Sequence, residues 1–158
     1  MVWKWSYNVS IFTRGNISLI CLQLSSHFLL QFDYFRFSLS WTRLLPTGGV
    51  NNINWDGVQF YHNVLDELEK QGIKPIVTLY HWDHPQILES TFGGWLSESM
   101  AFAFAEYARF VFSEFGHRIK EFTTVNEINV FCMRAYGTGN SAPGKLIKTD
   151  NFLKCFLY

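Results

Sequence analysis

Three apolar, strand-like stretches, 33–41, 74–82 and 119–128, are separated by two amphipathic helical patterns, 55–72 and 97–116. This alternation constrains the fold more than any other feature of the chain. Strand–helix–strand order calls for parallel strands joined by right-handed crossovers. The stretches end near residues 41, 82 and 127, so one repeat spans about forty residues, the size of a βα unit with a long loop. In "DYFRFSLSW" the apolar side chains alternate through Phe35, Phe37 and Leu39. "KPIVTLYHW" is almost continuously apolar from Ile76 to Tyr80, which fits a sheet covered on both faces. The first helical pattern gathers Tyr61, Val64, Leu65 and Leu68 on one stripe, turns Asp66, Glu67, Glu69 and Lys70 to water, and stops at Gly72. The second starts at a capping residue, Ser97, and stops at Gly116. Its stripe is Met100, Phe104, Tyr107, Ala108, Val111 and Phe115. "LPTGGVNN" and "DHPQILESTFGG" read as loops.

At 158 residues, 48% hydrophobic and 16% charged, the chain can bury the core of one domain. Thirteen basic and thirteen acidic residues balance, and no Lys/Arg run offers a nucleic-acid surface. The three cysteines, Cys21, Cys132 and Cys155, are odd in number and lack C-x-x-C spacing, so they read as buried thiols. "ISLICLQL" is too short to cross a membrane, and residues 1–30 lack the order of charged, apolar and small residues of a signal peptide. "NVS" and "NIS" match the glycosylation pattern, which recurs by chance. No role attaches to residues 1–30, and the compartment stays open.

The chemistry gathers at the strand ends. The first ends in Ser40-Trp41, the second in His81-Trp82, the third in Asn126-Glu127. Parallel α/β sheets bind ligands at the carboxyl ends of their strands, so these groups would face one mouth. Taken alone, a glutamate at a strand end is more often a solvated loop residue. His81, Asp83 and His84 lie close in sequence, but no further convincing ligand joins them, so no metal is expected. Trp41 and Trp55 read as packing residues, and Asp83 and Glu121 as structural or solvated carboxylates. Arg36 sits inside an aromatic strand, where an unpaired charge is expensive, and so calls for a carboxylate partner.

The segments "FRFSLSWTRLLPTG", "VTLYHWDHPQ", "FGGWL", "FAEYARFVFSEFG" and "TTVNEI", with "YGTG" and "APG" beyond, resemble glycoside hydrolase family 1. That family includes β-glucosidases and myrosinases. The resemblance covers residues 32–144 and leaves 1–31 and 145–158 unassigned. It implies an α/β fold, a fragment of a (β/α)8 TIM barrel holding about its second to fourth strands. It also implies retaining hydrolysis of a small-molecule β-glycoside without metal or organic cofactor. In these terms Glu127 matches the general acid/base of the T-x-N-E motif. Asn126 matches the residue that binds the sugar 2-hydroxyl, and His81 and Trp82 match the pair lining the glycone pocket. Arg36 matches the arginine that steadies the nucleophilic glutamate. Myrosinases of plants carry Gln at the acid/base position, so Glu127 points to ordinary O-glycoside chemistry.

Three departures accompany the resemblance. Ile128 stands where the family usually has proline, and His84 where leucine is common. The family's first strand, with its glycone-binding glutamine, has no counterpart in residues 1–30. No I/V-T-E-N-G segment occurs, and after Glu127 the only acidic residue is Asp150. The nucleophile expected about 5 to 5.5 Å from the acid/base is thus missing, and the chain by itself is expected to be inactive. Two other readings are a non-catalytic carbohydrate-binding relative and a self-standing small α/β protein.

Overall fold

The computed structural model describes residues 33–147 and 154–155. The readings of residues 1–30, Cys21 and Asp150 lie outside them. Strands β1 (Tyr34–Ser38), β2 (Lys74–Tyr80) and β3 (Glu121–Val125) form one parallel sheet in that spatial order. Tyr34 lies opposite Lys74 and Ser38 opposite Thr78. On the other side Ile76 lies opposite Glu121 and Tyr80 opposite Val125.

The strands stop short of the sequence boundaries, at Ser38, Tyr80 and Val125. The cause is local. Ser40 caps a one-turn helix, α1 (Trp41–Leu44), its Oγ accepting the Arg43 N–H at 3.3 Å. Trp82 and Glu127 adopt positive φ, which no strand ladder continues.

Between β1 and β2 runs α2 (Trp55–Lys70), capped by Asn54, whose Oδ1 accepts the Gly57 N–H at 3.3 Å. Its expected stripe, Tyr61, Val64, Leu65 and Leu68, is buried. Gly72 reverses the chain at φ 68, a conformation that costs a Cβ-bearing residue free energy. Between β2 and β3 runs α4 (Glu98–Phe115), with Ser97 as its cap. Met100, Tyr107, Val111 and Phe115 are buried, and Phe104 and Ala108 pack against the same core half-buried. Phe35, Phe37 and Leu39 of the first strand segment join this helix-side core, and so do Val77 and Leu79 of β2. Phe37 stacks on Tyr61, and Trp41 stacks on Tyr107 with ring centroids 4.7 Å apart. Strand alternation then turns Arg36 and Thr78 to the other face, where Arg36 Nε donates to Thr78 Oγ1 at 3.2 Å.

Three expectations are corrected. The stretch 83–94 is no simple loop: it holds α3 (Gln86–Phe92), after which a 3₁₀ turn spans Gly94–Leu96. Seven residues are too few for a helical period to stand out. Beyond β3, where the sequence carried no expectation, α5 (Ile128–Cys132) and a π turn (Met133–Gly137) follow at once. Trp55 does not pack: as the first residue of α2 it is 60% exposed. Cys132 and Cys155 are not thiols but a buried disulfide, with Cα atoms 5.7 Å apart. They are 23 residues apart in sequence, and only the return of the chain onto α5 brings them together.

Cross-linking a loop of this length removes denatured-state entropy worth about 3 kcal/mol. Dithiothreitol is therefore expected to lower the denaturation midpoint by a corresponding amount. A Cys132→Ser/Cys155→Ser chain should melt at the reduced position and ignore the reductant; equal midpoints with and without reductant would contradict the assignment.

Candidate active site

Tyr80 and Val125 form the last paired register of β2 and β3. Two residues beyond each, the chain turns left-handed, at Trp82 with φ 71 and at Glu127 with φ 44. A non-glycine residue in that region costs about 1–3 kcal/mol and persists only where its surroundings hold it. Such strain gathers at functional sites, and here two instances stand side by side.

Asn126, buried to 7% exposure, is the centre of what holds them. Its N–H donates to the Tyr80 carbonyl at 2.9 Å, continuing the ladder by one bond. Its carbonyl accepts the Trp82 indole N–H at 2.7 Å. Its Oδ1 accepts from Arg36 at 2.8 Å, and its Nδ2 lies 3.2 Å from His81 Nε2. A carboxamide nitrogen can only donate, so His81 Nε2 is the acceptor and the imidazole is neutral, with its proton on Nδ1. The electrostatics agree: burial lowers the His81 pKa, the Arg36 charge lowers it further, and Glu127 opposes both.

Arg36, His81, Trp82 and Asn126 thus form one connected set. Glu127 stands beside it, exposed, at the N-cap of α5 with its side chain making no capping bond. The apolar surround expected of an acid/base is not supplied by the described residues. Ile128 takes the first helical position of α5, where proline is also well suited, so the departure from N-E-P leaves the local fold intact.

The neighbouring polar groups diverge. Asp83 accepts the Ser40 hydroxyl at 2.7 Å, tying the end of β1 to that of β2. Burial raises its pKa and this hydrogen bond pulls it down. His84 turns the other way, its Nδ1 2.9 Å from the Tyr80 hydroxyl and its Nε2 3.1 Å from Glu89 Oε1. His81, Asp83 and His84 therefore point at three different partners rather than at one ion.

The sequence reading missed a second cluster, built around buried Glu89 on α3. Its carboxylate accepts from the Tyr136 hydroxyl and from His84, and lies 2.5 Å from the Lys145 ammonium. Burial would raise its pKa, but these partners overcome that and hold it at about 2. The cluster joins the segment after β2 to the segment after β3, the two that carry His81-Trp82 and Asn126-Glu127. The one sequence signal was the glycine pair of "FGGWL". At Gly94, with φ 61, a Cβ would lie 1.9 Å from Glu89 Oε1 and 2.6 Å from the Tyr136 hydroxyl. A groove of about 450 Å³ lined by Ile73, Lys74, Pro75 and His117 opens at the amino ends of the strands, the pole opposite all these groups.

The sequence profile described as "Glycosyl hydrolase family 1" matches residues 22–156. The chain belongs to this family. It is 48% identical over 125 residues to "Beta-glucosidase 31" of Arabidopsis thaliana, covering 78% of the chain and 23% of that protein. It is 50% identical over 115 residues to the human "Cytosolic beta-glucosidase", covering 73% and 24% respectively. Among solved structures, "Aphid myrosinase" superposes with a TM-score of 0.81 at 37% identity, over 85% of the chain and 29% of that structure. The chain thus spans about a quarter of the length of these relatives, and its sheet is part of the family 1 barrel. In barrel terms, the strained Trp82 and Glu127 lie at the carboxyl face, where barrel enzymes place their chemistry.

Two outcomes follow from the Glu89 cluster. Its folded pKa, about 2, lies below the ordinary 4.5, so its contribution to stability is present above that value and is lost as pH falls toward 2. In acid-unfolding curves, Glu89→Gln should be less stable at neutral pH and show a flatter pH dependence across that window. Gly94→Ala should destabilise by about 2 kcal/mol or more, through backbone strain and the displaced Glu89–Tyr136 bond together. A denaturation midpoint for Gly94→Ala equal to that of the parent chain would contradict the geometry.

Proposed function

We propose that this chain carries the acid/base half of a retaining β-glycosidase site, acting on β-glucosides. The observation that supports this most directly is Glu127. It lies on a strained left-handed residue at a strand's carboxyl end, its carboxylate not used for capping, beside an Asn126 fixed through every polar group. In such a reaction Glu127 protonates the departing glycosidic oxygen, then takes a proton from the water that releases the sugar. Asn126 has two amide hydrogens. One is directed to His81, and the other is suited to the sugar 2-hydroxyl, a contact that strengthens as positive charge develops at the anomeric carbon. Neutral His81, its Nε2 already accepting from Asn126, presents its Nδ1–H as a donor for a second hydroxyl, and the Trp82 indole forms an apolar wall.

Arg36 reaches this cluster from β1 and fixes Asn126 Oδ1 at 2.8 Å. In the complete site it would also steady a second carboxylate. That carboxylate is the nucleophile, and we assign it to a barrel strand outside these 158 residues. The chain by itself is accordingly expected not to turn over substrate.

The test supplies the rest of the barrel. Residues 34–147 would replace the matching segment of the human cytosolic β-glucosidase, and hydrolysis of aryl β-glucosides would be followed. Activity is expected. Glu127→Gln in that chimera should cost about 10²–10⁴-fold with a poor leaving group and much less with dinitrophenol, whose departure needs little protonation. A folded chimera whose activity ignores Glu127→Gln would overturn the assignment.

A further inference from the structure

We propose that Trp82 is a positioning residue for Glu127, acting through the peptide between Asn126 and Glu127 rather than only as a wall of the sugar pocket. The inference rests on the reading of Glu127 as acid/base. Its geometry is independent of that reading.

The carbonyl that accepts the Trp82 indole N–H at 2.7 Å is that of Asn126, one half of the peptide unit that enters Glu127. The Asn126 N–H, on the preceding peptide, is held by the Tyr80 carbonyl at 2.9 Å. On the far side, the Glu127 carbonyl accepts the Phe131 N–H at 2.9 Å, which starts α5. The peptide planes before and after Glu127 are therefore both anchored, and its φ of 44 and ψ of 57 follow from the anchors. Of these anchors the indole is the one supplied by a side chain. Trp82 can supply it because its own backbone is left-handed, at φ 71. That conformation departs from the strand and brings the indole edge across to β3. The ring is braced by Phe131, 6.0 Å away, and by His81 in an edge contact at 5.7 Å. Without the indole N–H, the peptide can rotate toward an unstrained conformation and take the carboxylate with it.

The experiment reads the titration of His81 by NMR in the 158-residue chain, because the two roles of Trp82 move it in opposite directions. The charged groups acting on His81 are Arg36, which lowers its pKa, and Glu127, which raises it, with burial lowering it most. If Trp82 were only a wall, Trp82→Phe would admit water and raise the His81 midpoint. If Trp82 places Glu127, the same change removes the carboxylate's support and the midpoint falls, as it should in Glu127→Gln. Adding Trp82→Phe to Glu127→Gln should then produce no further fall. A rise, or an equal change in both backgrounds, overturns the proposal. Should Trp82→Phe fail to fold, the unsubstituted chain decides. Its Trp82 indole proton should exchange at least about tenfold more slowly than that of exposed Trp55, and equal rates overturn the proposal. None of these readouts requires turnover. A folded chimera whose activity ignores Glu127→Gln, together with a falling His81 midpoint, would reject the acid/base role and leave the positioning intact.

Discussion

The carboxamide of Asn126 is the fixed point on which the site depends. A buried asparagine has four polar atoms counting its backbone, and leaving any of them without a partner would cost about 1–3 kcal/mol. Here the ladder carbonyl of Tyr80, the Trp82 indole, the Arg36 guanidinium and the His81 imidazole each take one. Three strands contribute to that set. A shift of any strand by one residue would break it, since register in a parallel sheet also decides which face a side chain occupies. The site is therefore as well ordered as the register of the sheet, and the register is enforced by the aromatic core behind it.

The packing and the chemistry divide along the strand alternation. Phe35, Phe37, Val77 and Leu79 lock the sheet to α2 and α4 on one side. Arg36 and Thr78 turn to the other, where Arg36 is half-buried and bonded. The same two-residue period that builds the core thus delivers a charge to the opposite face without a separate device. At the strand ends the period is broken deliberately, by left-handed Trp82 and Glu127. The Glu89 cluster then ties together the segments that follow these breaks. It stands on charge-assisted bonds, with Lys145 and His84 meeting a carboxylate whose charged form burial disfavours.

Much of this was legible in the chain. The three strands and two long helices follow from periodicity, and Ser97 and Gly72 mark helix ends by chemistry that acts within one turn. The grouping of His81, Trp82, Asn126 and Glu127 follows from strand ends, and Arg36 joins it only through the family resemblance. The illegible parts share a different cause. Helix α3 is too short to show a period, and α5 begins immediately after a strand. Trp55 has the side chain of a core residue but stands at a helix start that faces water. Cys132 meets Cys155 only after the chain has travelled through the π turn and returned.

The sequence by itself determined the alternation of three strands with two long helices and the residue types at each strand's carboxyl end, because these rest on interactions between residues near one another in the chain, and the alternation in turn called for a parallel sheet. The tertiary structure alone decided the partners: Trp82 with the carbonyl of Asn126, Arg36 with its carboxamide, Glu89 with Tyr136 and Lys145, Cys132 with Cys155. Each of those pairs closes a long loop, and no local preference can specify which of many polar groups will meet once the loop is closed. That choice is made when the hydrophobic faces of the sheet and helices come together and fix every backbone group at once.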